Sequence, residues 1–246
     1  MKKLVVANWK MYGQPAMARQ LSASVAAAAA ATEAARVVLC PPAILLGDVR
    51  ESIKGQSVAL GGQDCHCDTE GAHTGDTSAA MLKDATCGYV IVGHSERRTN
   101  HGETNAQVRA KAARAIESGL IPIICIGETL AQRENGEAET VVGTQVRESI
   151  PDSAAQGNFV LAYEPVWAIG SGKTPTTDDI KQMHRYIVSV ASERTGLAPA
   201  AIAVLYGGSV KAANAKDIMA TEAVAGVLVG GASLKADEFC SIIAAA

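Results

Sequence analysis

No stretch of this 246-residue chain approaches the ~20 uninterrupted apolar residues of a membrane span, and the Ala-rich run at 23–31 is short and only weakly apolar. The opening MKKLVVANWK starts as a signal peptide does, then meets Asn8 and Lys10 before a long apolar region forms. Basic charge is not in excess: 22 Lys+Arg against 25 Asp+Glu leave a net charge of -3, which points away from nucleic acid. No block of like charge marks a disordered tail, and no Pro/Ser/Gly-rich linker divides the chain, so one domain over 1–246 is expected. A second cysteine pair is also missing. Cys65-His66-Cys67 invites a metal reading, but structural zinc sites use Cys pairs at set spacings plus a second pair elsewhere, so no metal is expected. Cys40, Cys65, Cys67, Cys87, Cys125 and Cys240 are scattered, mostly inside or beside apolar runs, and read as reduced, packed side chains. These absences together lead to the expectation of a soluble, cytoplasmic protein with neither membrane nor nucleic-acid partners.

What is present is a repeating alternation. Short, continuously apolar runs recur at Lys3–Ala7, Arg36–Cys40, Ser57–Gly62, Tyr89–Gly93, Ile121–Ile126, Phe159–Tyr163, Ile202–Tyr206 and Gly226–Val229. Such runs suit parallel strands buried on both faces. Helix-forming stretches lie between them, at Pro15–Thr32, Ala43–Ile53, Ser78–Ala85, Thr104–Ser118, Glu137–Ile150, Thr177–Thr195, Ala212–Ala220 and Lys235–Ala245. Pro15, Asp76 or Thr77, and Thr177 mark helix starts, and Gly119 and Gly196 are placed as stops. Each pair takes about 31 residues, the size of one βα unit. An open, doubly wound sheet fits the periodicity as well, but eight units without a linker favour closure into an α/β (β/α)8 barrel.

In such a barrel the chemistry gathers at the C-terminal ends of the strands. The first strand runs into Asn8-Trp9-Lys10, the fourth into His94-Ser95-Glu96, and the sixth ends at Glu164. The seventh and eighth run into glycine-rich turns, Gly207-Gly208-Ser209 and Gly230-Gly231. Singly, each has a plainer reading: His94 as a structural histidine, Glu164 as a buried ion-pair partner, Lys10 as a solvated charge, Ser209 as a turn residue. Converging on one rim, they match a proton-transfer site beside a phosphate cradle. Cys125, Glu103, His66, His101 and His184 read as packing or surface.

ANWKMYG, VGHSERR, YEPVWAIGSGKTPT, LYGGSV and VLVGGASL, in that order from Ala7 to Leu234, resemble the signature segments of the triosephosphate isomerase family. The resemblance implies a TIM barrel that interconverts two triose phosphates, in glycolysis and gluconeogenesis, through an enediolate and without a cofactor. It assigns Glu164 as the base, His94 as the electrophile on the substrate carbonyl, and Lys10 and Asn8 as stabilisers of the developing oxyanion. Glu96 pairs with Lys10. Backbone N–H groups of Gly170, Ser209, Gly230 and Gly231 bind phosphate, beside a short helix beginning near Gly231 or Ala232. A lid runs from Pro165, Val166 and Trp167 through Ala168, Ile169, Gly170, Ser171 and Gly172 to Lys173, Thr174 and Pro175. The resemblance also implies a homodimer in which loop 3, Gln63–Ser78, inserts into the partner with Thr74 near its catalytic end. Tyr12, Asp64, His73 and His101 depart from the commonest family pattern, mostly around loops 1 and 3, and Pro175 stiffens the second hinge of the lid. Two rivals bear on the same features. Another phosphate-binding barrel enzyme would share the cradle but not the NWK, HSERR and YEPVWAIG segments together. A catalytically silent barrel would have lost Glu164, His94 or Lys10.

Overall fold

The computed structural model of the chain describes residues 2–169 and 175–246. Eight strands close into a barrel in sequence order: β1 (Lys3–Asn8), β2 (Ala35–Cys40), β3 (Val58–Gly62), β4 (Tyr89–Val92), β5 (Ile121–Ile126), β6 (Val160–Tyr163), β7 (Val204–Tyr206) and β8 (Gly226–Val229). Every neighbouring pair is parallel, and β1 closes on β8 with Leu4 beside Gly226 and Ala7 beside Val229. The expected (β/α)8 barrel is therefore the observed one.

Alternation along the strands divides the core in two. Leu4, Val6, Val38, Cys40, Tyr89, Ile91, Ile123, Cys125, Val160, Ala162, Leu205 and Leu228 form a cluster from strand residues alone, the filling of the barrel. The intervening Val5, Ala7, Val37, Leu39, Val90 and Val92 pack outwards with helix residues such as Leu21, Val25, Val108 and Ile187. Both faces of each strand are thus apolar, which is why the runs read as continuous rather than alternating.

The helices are α1 (Pro15–Ala30), α2 (Leu46–Ser52), α3 (Ala79–Asp84), α4 (Ser95–His101), α5 (Asn105–Glu117), α6 (Leu130–Glu134), α7 (Ala138–Ser149), α8 (Thr177–Thr195), α9 (Ala212–Ala220) and α10 (Ala236–Ala244). Several details differ from the sequence reading, which also lacked the short α6. The start of α3 is set by Ser78, whose hydroxyl accepts from Met81 N–H at 3.2 Å. Asp76 and Thr77 lie outside it, because the Thr77 carbonyl accepts the His66 N–H at 2.9 Å and keeps that segment extended. β7 begins at Val204 instead of Ile202, since Ile202 N–H is used by the 3-10 turn Pro199–Ala201. The polar α4 was not foreseen: SERRTNH has no apolar stripe to betray it, and it forms because His94 caps its first turn.

Candidate active site

The C-terminal rim holds a cavity of about 270 Å³ lined by Asn8, Lys10, His94, Glu164, Ile169, Gly207, Gly208, Ser209, Val210, Lys211, Leu228, Gly230, Gly231 and Ala232. Asn8, Lys10, His94, Glu164, Ser209, Gly230 and Gly231, expected from the sequence, therefore meet around one space. Glu96 stands outside it and reaches it through Lys10. The short 3-10 helix at Gly231–Leu234 begins at the cavity wall, where a helix was expected.

Glu164 follows β6 and is only 2% exposed. Its Oε1 lies 2.8 Å from His94 Nε2, and its Oε2 accepts the Ser95 N–H at 2.8 Å. Its backbone is fixed by its N–H to the Ile126 carbonyl at 2.7 Å. Gly127 makes this approach possible: a Cβ there would fall 1.7 Å from the Glu164 carbonyl oxygen, so only glycine fits. Burial disfavours the Glu164 carboxylate, but His94, the Ser95 N–H and Lys10 outweigh it and hold the pKa below the usual glutamate value. The group is a carboxylate at neutral pH.

His94 precedes α4, and its Nδ1 accepts the Glu96 N–H at 3.2 Å. A nitrogen that accepts a backbone N–H carries no proton, so the proton sits on Nε2 and points at Glu164. Burial opposes charge on the ring, while Glu164 and Glu96 oppose that effect and raise its pKa in this arrangement. The Glu164 contribution lasts only while the carboxylate rests on Nε2. Of the remaining influences, burial and Lys10 oppose charge on the ring, while Glu96, with its Oε2 3.6 Å from Nδ1, favours it.

Lys10 adopts a left-handed backbone conformation, φ 54°, unusual for a non-glycine residue. Its N–H donates to Asn8 Oδ1 at 3.0 Å, and its Nζ pairs with Glu96 Oε1. On its carbonyl side stands Gln63, which sequence reasoning passed over. A second residue missed was Glu128. Its fully buried side chain accepts from Tyr163 OH at 3.1 Å and Trp167 Nε1 at 2.9 Å, tying the start of the expected lid to β6. Arg133 stacks over the same indole, 4.8 Å from the ring centroid.

Of the lid residues, Pro165 leads into a 3-10 turn at Val166–Ala168, and Ile169 lines the cavity. Gly170, Ser171, Gly172, Lys173 and Thr174 lie outside the described residues, and Pro175 is buried ahead of α8. Thr74 lies exposed in loop 3 and does not line the cavity. Beside the site opens a wider groove of about 650 Å³, lined in part by Lys10, Met11, Tyr12, Gln63, Asp64, His94, Glu96, Arg97 and His101. Tyr12 and His101, two of the unusual residues, are exposed there. Asp64 is drawn into an ion cluster with Lys111 (2.8 Å) and Arg97 (2.9 Å), which Glu103 shares. Among the described residues no helix is long and apolar enough to cross a membrane.

Residues 3–246 match the family model described as triosephosphate isomerase. A triosephosphate isomerase of Rhodopseudomonas palustris is 49% identical over 99% of this chain and 97% of its own length. One from Acidiphilium cryptum is 47% identical over 100% of this chain and 99% of its own. Among solved structures, triosephosphate isomerase from Bartonella henselae superposes with a TM-score of 0.90 at 39% identity, covering 100% of this chain and 99% of that one.

Proposed function

Because the chain belongs to the triosephosphate isomerase family, we propose that Glu164 is the base, His94 the electrophile and Lys10 the charge stabiliser of its reaction. That reaction interconverts dihydroxyacetone phosphate and D-glyceraldehyde 3-phosphate, an intramolecular aldose–ketose isomerisation of glycolysis and gluconeogenesis. The observation that carries the assignment is the Glu164–His94 contact of 2.8 Å at the wall of a cavity that Ser209, Gly230 and Gly231 also line.

The steps follow from the groups. Backbone N–H groups of Ser209, Gly230 and Gly231, with Gly170 on the lid, take the phosphate, leaving the carbonyl and hydroxyl carbons towards Glu164. To reach a carbon-bound proton the carboxylate leaves Ser95 N–H and His94 Nε2. It thereby loses the interactions that depress its pKa and becomes a stronger base as it engages substrate. It removes the proton from one carbon and returns it to the next. His94 gives its Nε2 proton to the carbonyl oxygen as charge develops there and takes back the proton of the neighbouring hydroxyl, so the hydroxyl hydrogen changes oxygen and the ring ends neutral. Asn8 and the Lys10 ammonium stabilise the same charge, and the ion pair with Glu96 holds Lys10 in place. The lid, Pro165 to Pro175, closes over the phosphate and keeps water from the enediolate.

The working molecule on this reading is a cytoplasmic homodimer. Thr74 of loop 3 is exposed, and on this reading the loop would insert into the groove beside the site of a second copy. Met11 and Ile44 are 93% and 89% exposed near that groove, an apolar surface that a partner would cover. Isomerase activity is read by coupling product to a glycerol-phosphate dehydrogenase in chelated buffer. Turnover is expected with no metal or flavin and no nucleotide beyond the NADH that the coupling enzyme consumes, and undetectable turnover would overturn the reading.

A further inference from the structure

Behind the base, the sheet is complete on one side only. β4 ends at Val92, paired with Ile124, whereas β5 continues to Ile126. On the β6 side the ladder runs on past the strand ends. The Ile126 carbonyl accepts the Glu164 N–H at 2.7 Å, and the Glu128 carbonyl accepts the Val166 N–H at 3.1 Å. Successive residues of an extended chain turn their polar backbone groups to opposite sides, so those of Gly127 face the side that β4 has left. A glutamine meets them there. Gln145 Oε1 accepts the Gly127 N–H at 2.7 Å, and Gln145 Nε2 donates to the Gly127 carbonyl at 3.1 Å. Arg98 Nη2 covers the Cys125 carbonyl on the same side, at 3.1 Å.

Gly127 does not have a positive φ, so conformation alone does not call for glycine there. Closeness does. A Cβ on it would fall 1.7 Å from the Glu164 carbonyl oxygen and 2.6 Å from the carbonyl carbon, so the backbone of Glu164 rests directly on Gly127. We infer that Gln145 is a positioning residue for the base: its amide stands in for the missing strand, grips Gly127 by both polar groups and thereby fixes the backbone from which Glu164 swings. This role presupposes that Glu164 is the base. One planar amide supplies the donor and the acceptor that a neighbouring strand would offer. It is carried on α7, whose Val142 and Val146 are fully buried, and a rigid helix places a side chain more closely than a loop does.

Without that amide, Gly127 would keep an N–H and a carbonyl unpaired in a half-buried place. Glycine has the widest choice of backbone conformations and would turn to pair them. Glu164 would move with it, and a ~1 Å displacement in a reacting group can cost about 100-fold in rate. The phosphate contacts proposed for Ser209, Gly230 and Gly231 follow β7 and β8 and do not pass through Gly127. The loss therefore falls on kcat and spares KM.

The test is a kinetic cycle on the full-length enzyme with Gln145→Met, Glu164→Asp and the double variant, beside Val142→Ala. Gln145→Met removes both bonds at similar size, and Val142→Ala loosens the core of the same helix without touching Gly127. Gln145→Met should lower kcat at least ~10-fold with KM within about twofold of wild type. Val142→Ala should unfold at lower urea yet keep a kcat near wild type. In the Glu164→Asp background, where the base is already displaced, Gln145→Met should cost less than about threefold more, because the two residues act through one position. Gln145→Glu keeps the acceptor but turns an oxygen towards the Gly127 carbonyl, so it too should lower kcat at unchanged KM; it serves if Gln145→Met does not fold, which circular dichroism shows. A wild-type kcat in either folded Gln145 variant, a kcat loss as large in Val142→Ala, or the same fractional loss in both Glu164 backgrounds would overturn the role. A retained kcat in Glu164→Asp alone would sink the base assignment and this role with it; a slow Glu164→Asp beside a fast Gln145→Met would sink this role alone.

Discussion

Gln63 holds Lys10 by its carbonyl: the Gln63 side-chain amide donates at 2.8 Å to the Lys10 carbonyl and at 2.8 Å to that of Cys40. With Asn8 bonding the Lys10 N–H, the strained residue is gripped on both sides. A non-glycine residue in the left-handed region costs about 1–2 kcal/mol, and these bonds offset that strain. Gln63→Leu removes both donors at similar volume. Stability should fall by about 1–3 kcal/mol, and kcat/KM should drop at least tenfold, or ~1.4 kcal/mol in the barrier, as Lys10 loses its place. Urea unfolding and steady-state kinetics check this, and wild-type values for both would remove Gln63 from the account.

His184 makes acid instability specific. It is fully buried beside Tyr163 and Tyr206, and its Nδ1 donates to the Ala223 carbonyl at 3.2 Å. Its Nε2 has no hydrogen-bond partner among the described residues. Burial pushes its pKa down to about 4, against 6.5 for the free group. Between those values the unfolded chain binds the proton and the native state does not. Stability from this group is therefore complete above pH 6.5 and is lost as pH falls towards 4. The full loss is about 3 kcal/mol, of which about 2 is gone by pH 5. His94 moves in the opposite sense, so the comparison must be with His184→Asn, which keeps a donor for Ala223. Denaturant unfolding at pH 7 and pH 5 should show a smaller drop in the variant. An equal drop in both proteins would contradict the assignment.

Thr74→Arg tests the dimer. A charge placed at the tip of loop 3 would be buried without a partner in a closed interface, a cost of several kcal/mol. Sedimentation should change from dimer to monomer at micromolar concentration, with reduced activity. A fully active wild-type monomer would refute the dimer.

The sequence reading reached furthest where a residue's role is set by its place on a strand end. Lys10, His94, Glu164 and the two glycine turns stand there in the chain and in space alike. It did not reach Gln63, whose partners are carbonyls 53 and 23 residues away, for carbonyls carry no sequence signal. Glu128 was hidden for a related reason, since its fixed role depends on an indole 39 residues on. The start of α3 was misplaced because Ser78, Thr77 and Asp76 are all good caps, and only the strand-like bridge at His66 decides among them.

The central claim, that Glu164 is the base, is tested most directly by measuring kcat and KM for Glu164→Asp. Aspartate keeps the carboxylate but retracts it by one methylene from a position that the Ser95 N–H and His94 now fix to 2.8 Å. Positioned proton transfer falls steeply with such a displacement, whereas the phosphate contacts proposed for Ser209, Gly230 and Gly231 would be untouched. The account predicts a kcat lower by two or more orders of magnitude, ~3 kcal/mol or more in the barrier, with KM near that of the wild type. A kcat close to wild type would show that another group removes the proton.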